Sequence, residues 1–227
     1  MATCAPEGMK QAMLVGGVTR RASLLAVLGG GSAWLLPCPA VWAGRQAEEP
    51  LIDSVRTALS SAVRNAAPPI PEFSSTEARL QYLRWLGTTS ERLKKKKPDW
   101  DVRREFLQTV WYESKRSGLD TALVLGLIQV ESGFRKFAVS SAGARGYMQV
   151  MPFWTRVLGD GDASRLFHMQ INLRFGCIIL RHYLEREKGD LYLALGRYNG
   201  SRGKAPYPNA VLACKRLWEM PGLSPPS

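Results

Sequence analysis

The sequence predicts an all-α fold, and three observations carry that prediction. After residue 76 apolar residues recur at three- and four-residue steps in several separate stretches, which is the helical period and not the alternation of a strand. Residues suited to helix N-caps (Thr76, Asp99 or Asp101, Asp120) stand ahead of these stretches, each with a side-chain oxygen able to accept from an orphan backbone N–H. No alternating run of useful length occurs, so strands are expected to be few or absent.

Taken in order, residues 1–43 read as an export signal outside the fold. Arg20 and Arg21 precede a moderately apolar run from Ala22 to Leu36, and small residues follow, ending in Val41-Trp42-Ala43, a fit to signal-peptidase cleavage. The run is short for a membrane span and contains Gly29, Gly30 and Gly31. The paired arginines are similar to a twin-arginine signal, and a general secretory signal that contains two arginines reads equally well. Pro37 ahead of Cys38 fits a lipidation site poorly. Residues 44–75 read as a tether or arm, with a short helix over 54–65 that ends before the prolines at 68, 69 and 71.

The main domain is expected over 76–220, followed by a tail at 221–227. Its first helix would start at Thr76 and place Leu80, Leu83 and Leu86 on one side. A second would carry Val102, Phe106 and Val110, with Trp111 beside them, and end at Ser117-Gly118. Asp120 would cap an apolar helix through Leu123, Val124, Leu127 and Ile128 to Glu131. After a loop rich in Gly, Ser and Ala, Ile171, Phe175, Ile178 and Ile179 mark the longest helix, ending near Lys188-Gly189. Short helices are expected over 190–198 and 208–218.

The formal charge of +12 favours an anionic partner without naming one. Removal of the leader would take away Lys10, Arg20, Arg21 and Glu7, leaving the chain strongly basic and retaining only Cys177 and Cys214. In an oxidising compartment these two could form a disulfide; the alternative is a pair of buried free thiols. Lys94 to Lys97 read as a solvated run at a helix C-terminus, where lysines are electrostatically favoured, or as a hold on anionic polymers. Tyr147, Trp154 and Tyr207 suit either a core or sugar stacking. His168 and His182 lack ligand partners at metal-binding spacing, and no cofactor fingerprint is present.

Glu131 is the informative acid. It follows Leu127 by four residues and Ile128 by three, on the inward face of its helix. Burial there would penalise its charged form and keep it a proton donor near neutral pH. A helix-terminal glutamate that merely reaches solvent fits the helix position as well.

The residues beyond it are more specific. Glu131-Ser132-Gly133-Phe134, Ala138-Val139-Ser140 and the run from Gly143 through Gln149 to Pro152 resemble the first signature of the soluble lytic transglycosylase family, whose fold is lysozyme-like. Asn172, Gly176 and the run Ala194-Leu195-Gly196-Arg197-Tyr198-Asn199-Gly200 are similar to the family's later block. The resemblance covers roughly residues 105–215. It implies an enzyme acting without a cofactor on peptidoglycan glycan strands, while the export signal argues for a periplasmic location, against nucleic acid as partner and against a membrane span in the mature chain. It further implies that Glu131 protonates the glycosidic oxygen and then takes the proton of the C6 hydroxyl, leaving 1,6-anhydromuramyl ends. Ser140, Gln149 and Met151 would line sugar subsites, Tyr198 would lie near the carboxyl, and Asn199 would fix the adjacent turn.

Most glycosidases place two carboxylates about the bond. No acidic residue lies between Glu131 and Asp160, and Asp160 and Asp162 sit in a Gly-Asp-Gly-Asp turn. That shortage fits a one-carboxylate mechanism, with a hydrolytic muramidase and a non-catalytic wall-binding protein as the alternatives. Lys136, Tyr147, Arg197 and Gly200-Ser201 depart from the residues usual in the family and put subsite shape in question.

Overall fold

The computed structural model describes residues 71–157 and 161–220. The leader at 1–43, the arm up to residue 70 with its expected helix at 54–65, Asp160 and the tail at 221–227 lie outside the described residues. Within them the chain is helical, as expected, and its only β features are the isolated bridges Val139–Arg145 and Arg145–Val150.

Helix α1, Thr76–Leu93, is capped by Ser75, one residue ahead of the expected Thr76; the Ser75 hydroxyl accepts from the Ala78 N–H at 3.1 Å. Of the three leucines expected on one side, only Leu86 packs against the core. Leu80 and Leu83 are 42% and 49% exposed, whereas Tyr82, Trp85 and Leu93 are buried. The aromatic rings win because each buries more area than a leucine and finds other rings. Trp111 lies 5.1 Å from Tyr82 and 4.9 Å from Trp85, and Phe73 packs 5.0 Å from Tyr82.

Helix α2, Trp100–Arg116, is capped by Asp99, whose carboxylate accepts from the Val102 N–H at 2.9 Å. Phe106, Leu107 and Val110 are inaccessible, while Val102 falls outside this stripe and is 46% exposed. Helix α3, Thr121–Ser132, is capped by Asp120 and buried around nearly its whole circumference, which makes it the central helix. It stops at Gly133, whose left-handed φ of 57° returns a backbone N–H to Gln129.

A loop over 133–152 leads to the short helix α4, Phe153–Val157, and a 3-10 turn, Ala163–Phe167, neither of which has enough periodicity to be read from sequence. Helix α5, Met169–Arg186, ties with α1 as the longest described and ends ahead of Lys188 and Gly189, both at positive φ. Helix α6, Leu191–Asn199, is capped by Asp190, and helix α7 runs over Pro206–Trp218. Its start lies two residues before the expected one, because Pro206 fits the first helical position, where a missing N–H costs nothing.

Three elements converge on the end of α3. Helix α7 crosses α3 closely enough that a Cβ on Gly126 would lie 2.6 Å from the Lys215 backbone nitrogen. The 133–152 loop is fixed to α5 by Asn172, whose amide donates to the carbonyls of Arg145 and Leu166 at 2.8 Å and accepts from the Met148 N–H at 2.8 Å. Gly176, one turn further along α5, leaves the room that the Met148 side chain fills. Cys177 and Cys214 are free thiols. No described helix is long and apolar enough to cross a membrane.

Candidate active site

Glu131 sits in the last turn of α3 with 1% of its surface exposed. Its Oε1 accepts a 2.6 Å hydrogen bond from the hydroxyl of Tyr207, in the first turn of α7. Its Oε2 is buried with no hydrogen-bond partner. Burial pushes the Glu131 carboxyl up to about 8, and the Tyr207 hydrogen bond offsets only part of that. Tyr207 is held well above its ordinary range by burial and by the neighbouring Glu131, so it remains a donor. The arrangement is a carboxylic acid protonated at neutral pH. With Oε1 occupied as an acceptor, the acid proton falls to Oε2.

The loop after Glu131 is braced at several points. The Ser132 hydroxyl lies 2.7 Å from the Tyr147 carbonyl and 3.2 Å from that of Ile128, and the Arg135 guanidinium donates to the Ser132 carbonyl at 2.9 Å. Gln149 adopts a left-handed φ of 50°, a conformation that costs a non-glycine residue about 1–2 kcal/mol. Its amide nitrogen holds that turn by donating to the carbonyls of Ala138 at 3.1 Å and Gly146 at 3.0 Å. Its Oε1 is buried and unpartnered. The Ser140 hydroxyl accepts from the Ala144 N–H at 3.0 Å, and Met151 is half-buried against the core.

The block on α6 is equally fixed. The Tyr198 hydroxyl donates to the Met148 carbonyl at 2.8 Å, so the phenol on Glu131 is that of Tyr207. The Asn199 amide nitrogen donates to the Ser201 hydroxyl at 3.0 Å, leaving a buried Oδ1 without a partner. Ser140, Gln149, Tyr198 and Asn199 all have 9% or less of their surface exposed, and their polar atoms hold the loop and turn about the site.

The family model described as "Transglycosylase SLT domain" matches residues 108–208. These residues are a transglycosylase SLT domain. The match takes in Glu131, Gln149, Tyr198 and Tyr207. Among curated relatives, the membrane-bound lytic murein transglycosylase C of Actinobacillus pleuropneumoniae serotype 5b is 35% identical over 115 residues, covering 44% of this chain and 32% of the relative. The transglycosylase of Enterobacteria phage PRD1 is 34% identical over 101 residues, covering 44% and 37%. The chain therefore spans about a third of the length of these relatives. A solved structure of an inactive mutant of lytic transglycosylase Slt from Pseudomonas aeruginosa overlaps 62% of this chain and 29% of that one, at 20% identity and a TM-score of 0.43.

Two residues of the SLT domain's surroundings escaped the sequence reading. Tyr207, expected to be core or a stacking platform, is inaccessible like Tyr147 and Trp154, but its hydroxyl serves the acid. Nothing in the sequence connects positions 131 and 207; only the turn before α7 brings them together. Lys97, read as part of a solvated run, is 8% exposed and donates to the Tyr147 hydroxyl at 2.7 Å. The three lysines before it do extend into solvent.

Arg197 forms an ion pair with Glu187, which also takes two hydrogen bonds from Arg202 at 2.7 and 2.9 Å. These contacts hold Glu187 down to about 2. No group of three His, Cys, Asp or Glu among the described residues is placed to hold a metal. A cleft of about 570 Å³, lined by Phe73, Tyr82, Leu83 and Gln108 among others, lies between the 71–75 segment and helices α1 and α2, away from Glu131.

Proposed function

We propose that this chain is a peptidoglycan lytic transglycosylase in which Glu131 is the single catalytic acid and base. The observation that carries this reading is a buried glutamic acid, neutral at physiological pH, with one oxygen held by Tyr207 and the other unpartnered. In the first step the Oε2 proton passes to the glycosidic oxygen as the bond from C1 of N-acetylmuramic acid breaks. The substrate's own N-acetyl carbonyl stabilises the positive charge at C1, and Tyr207 donates to the new carboxylate, a hydrogen bond strengthened by that charge. In the second step the C6 hydroxyl oxygen bonds to C1 and its proton returns to Glu131. The product is a 1,6-anhydromuramyl end, and the acid is regenerated without water.

The buried acceptors on Gln149 and Asn199 support roles in receiving donors from the sugar, beside Ser140, Met151 and Tyr198 in shaping the subsites. The leader at 1–43 would deliver the enzyme to the periplasm, where its positive charge favours an anionic wall. The similarity to lytic murein transglycosylases supports the substrate class. The test is digestion of purified sacculi followed by mass spectrometry of the soluble products. Anhydromuramyl ends are expected. Reducing muramic ends would make the enzyme a hydrolytic muramidase, and binding without release would make it a wall-binding protein.

A further inference from the structure

Lys97 is the cation whose placement the proposed chemistry does not use. Its ammonium is buried, lies 4.9 Å from the centre of the Phe106 ring and 4.4 Å from that of Tyr147, and donates to the Tyr147 hydroxyl. Among the described residues no carboxylate forms an ion pair with it. The turn that presents it is held by a second buried cation. Arg103 gives its Nε to the Ser90 hydroxyl at 2.8 Å and Nη1 to the carbonyls of Lys97, Pro98 and Asp99. A guanidinium spent on three consecutive carbonyls fixes the position of Lys97 more firmly than a surface turn requires.

The contact leads towards Glu131. The Tyr147 carbonyl takes the hydrogen bond of Ser132, the residue after the acid, and the next residue, Met148, is gripped by Asn172 and Tyr198. Phe106 meets Phe134 edge-on at 6.1 Å, so the same ring touches both Lys97 and the turn that ends α3. We propose that Lys97 is a positioning residue for the Glu131 site, acting through Tyr147 to hold the 133–152 loop against the end of α3. This rests on the activity proposed above.

The charged groups bearing on the pair are Lys136, which disfavours the Lys97 ammonium, and Glu105, which disfavours ionisation of Tyr147. Burial and Lys136 bring Lys97 down to about 8, so the ammonium persists below that pH. Without Lys97 the buried Tyr147 hydroxyl would lose its donor and the ring would turn to find another. A leucine at 147 would need none.

The experiment measures kcat and KM on sacculi at pH 6.5 for the full-length chain, Lys97→Met, Tyr147→Phe and the double variant Lys97→Met/Tyr147→Leu. Lys97→Met is expected to lower kcat about tenfold, the cost of a slightly misplaced acid, with KM held within about twofold. The double variant is expected to recover kcat to within about threefold of the parent. If Lys97→Met does not fold, Tyr147→Phe carries the test, with a fall in kcat of about threefold expected at unchanged KM. An unchanged kcat, a loss confined to KM, or no recovery in the double variant overturns the inference while the proposed activity stands. A parent chain that releases no muropeptides overturns both.

Discussion

Glu131 and Glu187 are the same residue type with 1% and 9% of their surfaces exposed, yet one is pushed up to about 8 and the other held down to about 2. The difference lies in how far each carboxyl has lost water and in what faces it. At the end of α3 the carboxyl is buried and meets one neutral phenol, so the charged form has lost water and gained a single hydrogen bond. At the turn between α5 and α6 it meets two guanidiniums. Glu113 stands between them: it is 1% exposed and paired with Arg174 at 2.9 Å, but burial still outweighs the pair and raises it. Depth and partners together separate a carboxyl kept neutral from one kept charged: burial raises Glu131 and Glu113, and two guanidiniums lower Glu187.

The comparison breaks most completely at Glu131. Glu131→Gln is expected to lower muropeptide release by about 10²–10⁴-fold, the usual worth of general acid–base catalysis, with the helical circular dichroism unchanged. The same variant reports on stability. Glu131 is protonated in the folded chain up to about pH 8 and ionised in the unfolded chain above its ordinary value of 4.5. The folded state therefore holds the extra proton, and the stability of the parent falls as pH rises across that window. Glu131→Gln should gain on the parent from pH 5 to pH 8 in denaturant titrations. An equal difference at both ends would mean that the carboxyl is not neutral.

A smaller break is Tyr207→Phe. Loss of its hydrogen bond leaves the carboxyl higher still, so the alkaline limb of the kcat profile should move upwards while kcat falls about tenfold, as expected for a charge-assisted hydrogen bond. A limb that stays in place would mean that Tyr207 does not set the ionisation of Glu131.

The smallest effect is expected at the other pole, with Arg202→Ala. Glu187 is depressed, so its contribution is present above pH 4.5 and lost as pH falls towards 2. Arg202 is half exposed, so solvent screens the pair and its removal should cost little at pH 7. The gap between parent and variant should narrow as pH falls from 4.5 towards 2, read from denaturation midpoints.

The two poles were not equally legible in the sequence. The helices announced themselves wherever a cap and an apolar period coincided, as at Asp99 and Asp120, and Glu131 fell on the inward face of its helix. What failed was the choice between competing apolar faces. On α1 the leucines gave the periodic stripe, but Tyr82 and Trp85 found Trp111 and took the interior. Partners chosen by tertiary contact were invisible: Tyr207 for Glu131, Arg202 for Glu187, and Tyr147 for the last lysine of a run that looked uniformly solvated. Local pattern records which residues seek the core and says nothing of which polar atom will meet which.

Gly126 touches neither the acid nor its phenol, yet it sets how closely their two helices can approach. The missing methyl is the spacer thickness between α3 and α7, and the 2.6 Å from the built Cβ to the Lys215 nitrogen leaves no margin for adding one. Any larger residue there would wedge the helices apart and stretch the Glu131–Tyr207 hydrogen bond from a distance. The strength of the acid is thus partly a question of side-chain volume at a position with no chemistry of its own.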